Sequence, residues 1–162
     1  MTATHPIAPL RDRLKVILEA VSGIGRVYDY MRHPVTDAEV KSLFVTTTSP
    51  RLHYWCITLG PDAKFLEERY PASHSRATVT FAIRGYYALV DADASEKTFI
   101  NLVEDVLDAL RTHKGALSVD AIGGPWLTQG PAQWAGPNHV EVAGVLCHHA
   151  ELVVPVRVAV EC

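Results

Sequence analysis

One cluster of residues in the chain has the side chains needed to bind a metal ion. It consists of Cys147, His148 and His149, with Glu151 two positions further on. On a β-strand alternate side chains share a side, so Cys147, His149 and Glu151 would form an acceptable trio of zinc ligands. The spacing matches no zinc signature, however, and no second pair of ligands is placed by the sequence. Polar residues at a hairpin turn are the simpler interpretation, and we predict no metal or other cofactor.

No catalytic set is recognisable. Nucleophilic catalysis needs a base and an orienting group around the nucleophile, and none of the serines lies in a nucleophile-elbow context. The Gly23-Ile24-Gly25 segment lacks the third glycine of a dinucleotide-binding fingerprint and follows a predicted helix rather than a strand. We therefore predict that this segment ends a helix and that the protein is not an enzyme.

Five residues have the types and positions that favour a protein–protein interface: Arg76, Arg84, Tyr86, Trp126 and Trp134. The two tryptophans lie in an irregular Gly/Pro-rich loop at about 123–137, where they either pack on their own domain or contact a partner. The other three lie on the side of a long predicted strand that a core does not need, and interfaces favour Arg and Tyr. A plain solvated sheet face is the alternative interpretation.

Two amphipathic helices are expected to support these residues. Apolar residues recur at helical spacing from Leu10 to Val21, and Gly23 follows in the position that closes a helix. A second stripe runs from Phe99 to Leu110, with Asp93 and Glu96 as a capping box, or Ser95 as an alternative N-cap, before it. Its outer face is acidic, and Gly115 is predicted to end it.

Strands are predicted at 24–31, at 52–59 and, most clearly, at 75–90. In the longest one the odd positions from Ala77 to Leu89 are apolar and the even positions are mostly polar. Such alternation predicts one buried face and one free face, as in an antiparallel sheet. The segment 36–50 is predicted to be a loop or a ragged strand, and 63–70 a short helical turn.

The run 139–160 keeps its apolar residues on even positions, from Val140 to Val160. A three-residue turn at 148–150 would preserve that parity, whereas a two-residue turn would reverse it, so we predict a hairpin that pairs Cys147 with Glu151. One long strand bent at the same point is the alternative. Pro155 lacks an amide donor, which favours an edge position for the last strand.

The composition is 48% apolar and 20% charged over 162 residues, typical of one globular domain spanning 1–162. A net charge of −3, with Lys and Arg scattered singly, disfavours a specific nucleic-acid partner. Three cysteines are too few for a disulfide framework. The start of the chain lacks the apolar segment of a signal peptide, and no apolar run approaches a membrane span of about 20 residues. The expected compartment is the cytoplasm.

The predicted fold is α+β, a mainly antiparallel β-sheet with two amphipathic helices packed on one face. This order of elements resembles the tail-terminator (tail-completion, minor tail) proteins of bacteriophages and prophages. Three segments carry the resemblance: a first helix with its glycine turn (14–27), the long strand (76–89) and the second helix (99–110). The loop around Trp126 to Trp134 departs from the family pattern.

The resemblance implies a structural protein that forms a ring, typically a hexamer, on the end of the tail tube and joins it to the head. Its partners would be copies of itself, the tail-tube protein and head–tail connector proteins, with no membrane or specific nucleic acid. It would be found in the bacterial host cytoplasm during assembly and then in the virion tail. Two alternatives remain open: a small ligand-binding domain with an aromatic pocket lined by Trp55, Trp126 and Trp134, and a metal-dependent enzyme using 147–151.

Overall fold

The structure is a computed structural model that describes residues 7–34, 36–45, 51–60, 66–69, 74–112, 118–119, 124–125, 127–128 and 133–161. Its helices are α1 (Ile7–Glu19), α2 (Asp37–Phe44) and α3 (Ser95–Thr112), the last preceded by a 3₁₀ turn, Asp91–Asp93. Its first four strands are β1 (Arg26–Tyr28), β2 (His53–Leu59), β3 (Leu66–Arg69) and β4 (His74–Ala88). The others are β5 (Ser118–Val119), β6 (Gly124–Pro125), β7 (Leu127–Thr128), β8 (Gln133–Trp134), β9 (Asn138–Val142) and β10 (Val145–Glu161).

The sheet is mixed and built around two long strands. Its main path is β1-β2-β4-β10-β7, with β3 beside β4 and with β8 and β9 beside β10. All of these pairs are antiparallel except β1 with β2. The α+β class and the mainly antiparallel sheet are therefore confirmed, and the parallel pair was not predicted.

The larger core lies between one sheet face and the helices α1 and α3. The odd residues of β4, such as Phe81 and Ile83, contact it together with even residues of β10, such as Leu152 and Val154. Phe99 and the other apolar residues of the predicted α3 stripe cover them from the helix side. The helical period of α1 and α3 and the two-residue period of β4 thus place their apolar residues where the sequence predicted.

A second core covers part of the opposite sheet face, which corrects the prediction that this face is free. Helix α2 packs there, and the Phe44 ring stacks on Tyr54 with centroids 3.9 Å apart. Tyr86 and Ala88, at even positions of β4, are buried beneath it. Alternation in β4 shows that its two faces differ, but a helix from elsewhere in the chain can still cover the more polar one.

The predicted hairpin turn at 148–150 is wrong. The chain reverses at Ala143-Gly144, and β10 then runs straight through 148–150 as one strand of 17 residues. The strand is about 56 Å long at 3.3 Å per residue, and 15 register pairs with β4 stabilise it. Because the turn has two residues, the parity reverses: Val140 and Val142 pack on the second core, whereas Leu152 packs on the first.

Other local predictions also fail. The segment 36–50 contains α2 rather than a strand, and the described part of 63–70 is strand β3 rather than a helical turn. The first strand is shorter than predicted, and Asp93 lies in the turn before α3 rather than at its N-cap.

The Gly/Pro-rich region 123–137 is not wholly irregular, because β7 and β8 pair with β10. The last strand, β10, is therefore not an edge strand. Pro155 lies between the residues of β10 that pair with β8 and those that pair with β7. Gly115 lies outside the described residues.

Candidate interaction surface

Arg84 lies on the second sheet face, just beyond the area covered by α2. Its Nε donates to the Glu151 carboxylate at 2.6 Å, and its Nη1 donates to Thr58 Oγ1 at 3.0 Å. Arg84 and Glu151 are also direct register partners of β4 and β10. The guanidinium is half-buried. Arg84 thus ties three central strands together, a role within the chain that the sequence did not predict.

Tyr86 is 9% exposed and belongs to a continuous stack of rings. Its ring stacks on Tyr54 at 4.7 Å, Tyr54 stacks on Phe44, and His149 approaches Tyr86 from β10 at 4.9 Å. Burial raises the pKa of Tyr86 to about 12. Little of Tyr86 is left to meet a partner, so its main contribution is to hold α2 on the sheet.

The structure describes the remaining three predicted interface residues to different extents. Trp134 is half-buried and packs against the larger core from β8, which favours the interpretation that it is fixed on its own domain. The backbone of Arg76 pairs with Ala159 on one side and Glu68 on the other. Trp126 lies outside the described residues. A partner contact by any of the five residues stays a prediction.

The side chains of the proposed metal trio are each engaged in other contacts. Cys147 is buried in the second core, where burial raises its pKa to about 11. His149 Nδ1 lies 2.7 Å from Asn138 Oδ1, and Glu151 pairs with Arg84. In the part of the chain that the structure describes, no group of three or more His, Cys, Asp or Glu residues is arranged to hold a metal.

Ser95 and His148 form a buried polar pair that the sequence did not reveal. Ser95 Oγ lies 2.8 Å from His148 Nε2 and accepts the Val90 N–H at 2.8 Å. The two residues are only 3% and 2% exposed, so this serine is not accessible to a substrate as a nucleophile. Burial, and the neighbouring His139, lower the pKa of His148. The pair anchors the start of α3 to β10.

The tip of the β9–β10 hairpin presents exposed apolar side chains near α2. Val145 and Leu146 are exposed, with Leu146 exposed by 51%. A cavity of about 400 Å³ adjoins Val145. Its apolar lining also comes from Val40 in α2, Val45 just after α2, Leu52, Ala88 and Ala143. Lys41 and Arg51 also line this cavity, and Arg51 pairs with Asp93.

A second cavity, of about 390 Å³, opens on the face that carries α1 and α3. The turn after α1, the start of β2, the end of β4 and the outer side of α3 form its walls. Its polar lining comes from Ser22, His53, Tyr87, Thr98, Asn101 and Asp105. Burial lowers the pKa of His53 to about 4.

Trp55, proposed for an aromatic pocket, is completely buried in the larger core. It therefore offers no surface to a ligand.

Compared with protein-family models and with curated proteins, the chain matches none. Among the described residues, no helix is both long and apolar enough to cross a membrane.

Proposed function

We propose that this protein is a structural assembly protein resembling a phage tail terminator. In this role copies of the chain form a ring on the end of the tail tube and join the tube to the head. The partners are the chain itself, the tail-tube protein and head–tail connector proteins. The place of action is the bacterial host cytoplasm during assembly and then the virion tail.

The observation that carries the proposal is the exposed apolar tip of the β9–β10 hairpin. Val145 and Leu146 are adjacent on a strand, so they point to opposite faces, and both are exposed. Exposed apolar side chains at the end of a hairpin are typical of protein–protein contact sites, and Val145 also lines an apolar cavity. The rigid ladder between β4 and β10 holds this tip in a fixed position relative to the core.

The order of elements supports the same role. A first helix, a long central strand and an acidic amphipathic helix occur in the order that carried the resemblance. A heterologous contact between two different surfaces of one subunit closes a ring when the rotation between copies is a whole fraction of a turn. The hairpin tip serves as one of the two surfaces.

The mass of the purified protein in solution tests the proposal. We expect a species several times the chain mass of 17.8 kDa, six times for a hexamer, together with rings in electron micrographs. Light scattering across a hundredfold range of concentration, alone and with purified tail-tube protein, measures it. A monomer throughout, with no binding to the tube protein, would refute the proposal.

A further inference from the structure

The cavity between the α1–β1 turn and α3 is lined by several polar side chains that do not hydrogen-bond to one another. The side chains of Ser22, Thr98, Asn101 and Asp105 are exposed to solvent at the cavity, and none makes a hydrogen bond to another described residue. Thr98, Asn101 and Asp105 follow one another at helical spacing on α3, and Ser22 lies across from them on the turn after α1. Polar groups that converge on one cavity without satisfying one another are a sign of a ligand site.

The floor of the cavity is more tightly fixed. His53 is buried against the backbone of Gly25, where an added Cβ would lie 2.9 Å from the imidazole ring. Its Nε2 has no hydrogen-bond partner among the described residues. The Tyr87 ring packs edge-on against His53 at 4.8 Å. These contacts hold two aromatic walls in place whether or not a ligand is present.

The charges around the cavity determine whether it favours a cationic or an anionic ligand. Among the described residues that line the cavity, Asp105 supplies the one charged side chain at neutral pH, because burial keeps His53 neutral. The exposed face of α3 carries four carboxylates and two cationic side chains: Glu96, Glu104, Asp105, Asp108, Lys97 and Arg111. Arg51, which lies near Tyr87, is paired with Asp93. An anion would therefore meet repulsion without a counter-charge, whereas a cation would be attracted.

We propose that this cavity binds a guanidinium or alkylammonium group. Asp105 supplies the counter-charge, and the oxygens of Asn101, Thr98 and Ser22 accept the remaining N–H groups. A volume of about 390 Å³ accommodates the end of an arginine or lysine side chain or a small free cation. The group comes either from a small molecule or from a basic side chain of a second copy, and only the second source depends on the ring proposal.

Ethylguanidinium is a suitable probe, with N-ethylurea as a neutral control of the same shape. We expect a saturable saturation-transfer NMR signal from ethylguanidinium on the wild-type protein, and none from N-ethylurea. Asp105→Asn keeps the shape but removes the charge, so it should weaken binding about tenfold, as expected for one charge-assisted hydrogen bond. Asp108→Asn is the matched control, because Asp108 lies on the same exposed face but pairs with Arg111. It should bind as the wild type does.

The mass of the protein in the same samples separates the two sources. If a second copy supplies the cation, ethylguanidinium and Asp105→Asn each lower the oligomeric mass; if a small molecule supplies it, the mass is unchanged and only the NMR signal responds. Either result supports the site. The proposal is overturned if ethylguanidinium gives neither a saturable signal nor a change in mass, or if Asp105→Asn responds as the wild type does. A monomeric wild type that still binds ethylguanidinium would count against the ring proposal but would leave the cation site supported.

Discussion

The Arg84–Glu151 ion pair links the two longest strands near the middle of their ladder. Arg84→Glu would place two carboxylates directly opposite each other and remove the hydrogen bond to Thr58. Like charges in register destabilise a sheet, and a half-buried charged hydrogen bond is worth about 1.5–3 kcal/mol. We therefore expect Arg84→Glu to lower the free energy of unfolding by about 2 kcal/mol in urea titrations.

The reversed pair provides the control. Arg84→Glu combined with Glu151→Arg restores opposite charges in the same register, so it should recover most of the lost stability. A single variant as stable as the wild type would show that the pair contributes nothing to folding.

Gly85 is required by a close contact in the larger core. A Cβ at this position would lie 2.7 Å from the ring of Trp55, which is completely buried. Overpacking of a core costs about 1–3 kcal/mol, so Gly85→Ala should lower the free energy of unfolding by at least that amount. Gly60→Ala is the matched control, since its Cβ would lie 3.1 Å from the methyl of Thr80 and 3.4 Å from the Thr80 carbonyl oxygen, a milder contact. Equal losses in the free energy of unfolding for the two variants, measured by urea titration, would contradict the requirement for glycine at position 85.

Buried histidines make stability depend on pH. Because burial lowers the pKa of His53 from 6.5 to about 4, the unfolded chain binds a proton before the folded one does. Stability should therefore fall as the pH decreases from about 6.5 to 4, by about 3 kcal/mol for this residue at 1.4 kcal/mol per pKa unit. His148 and His149, whose pKa values are also lowered, should act in the same direction.

Urea titrations at several pH values between 4 and 7.5 measure this dependence. In His53→Gln the loss of stability at low pH should be smaller than in the wild type. His33→Gln, at an exposed position, should lose as much stability as the wild type does. An identical pH dependence in wild type and His53→Gln would show that His53 does not stay neutral in the folded protein.

Among the secondary-structure elements, the β9–β10 turn carries local strain. Ala143 has φ +50° and Gly144 has φ +77°, the left-handed pair of a type I′ turn. An L-residue other than Gly, Asn or Asp costs about 1 kcal/mol in that region, so Ala143→Asn should raise the free energy of unfolding by about 0.5–1 kcal/mol. Ala135→Asn, also exposed but without positive φ, should not. Urea titrations that show no difference between the two would argue against the turn.

The helices and strands that the sequence predicted well are those with long periodic patterns. Helices α1 and α3 and strand β4 each repeat their period several times, so errors at single positions average out. Helix α2 is too short for that, but its start has a local signal that was missed. Thr36 and Glu39 form a capping box, in which Thr36 Oγ1 accepts the Glu39 N–H and the Glu39 carboxylate accepts the Thr36 N–H.

The hairpin error has a different cause. Parity along 139–160 was interpreted as one buried face, but the structure contains two cores on opposite faces of the sheet. Even-numbered residues before the turn can then be buried on one face of the sheet, and even-numbered residues after the turn on the other. Ala143-Gly144 gave a weak turn signal, because Ala is rare at its first position. The polar cavity was equally invisible, since it joins residues from four separate elements.

For the molecule as a whole, Val145 and Leu146 at the hairpin tip belong to neither of the two cores and are exposed. Leu146 is 51% exposed, so replacing it should leave the fold intact. We expect Leu146→Glu to reduce the solution mass toward that of one chain, because a buried unpaired carboxylate would oppose association. Light scattering at matched concentrations measures the mass, with urea titration to verify folding.

Val16 offers a matched control on another surface. It is 52% exposed, on the outer side of α1, so Val16→Glu removes a similar apolar side chain far from the hairpin in sequence. If the tip forms the contact, Val16→Glu keeps the wild-type mass while Leu146→Glu loses it. The reverse pattern would place the contact on α1 and leave the ring proposal standing with a different surface. Wild-type mass in both variants would remove the hairpin tip from the assembly, because a subunit contact cannot accept a charge at its centre without weakening.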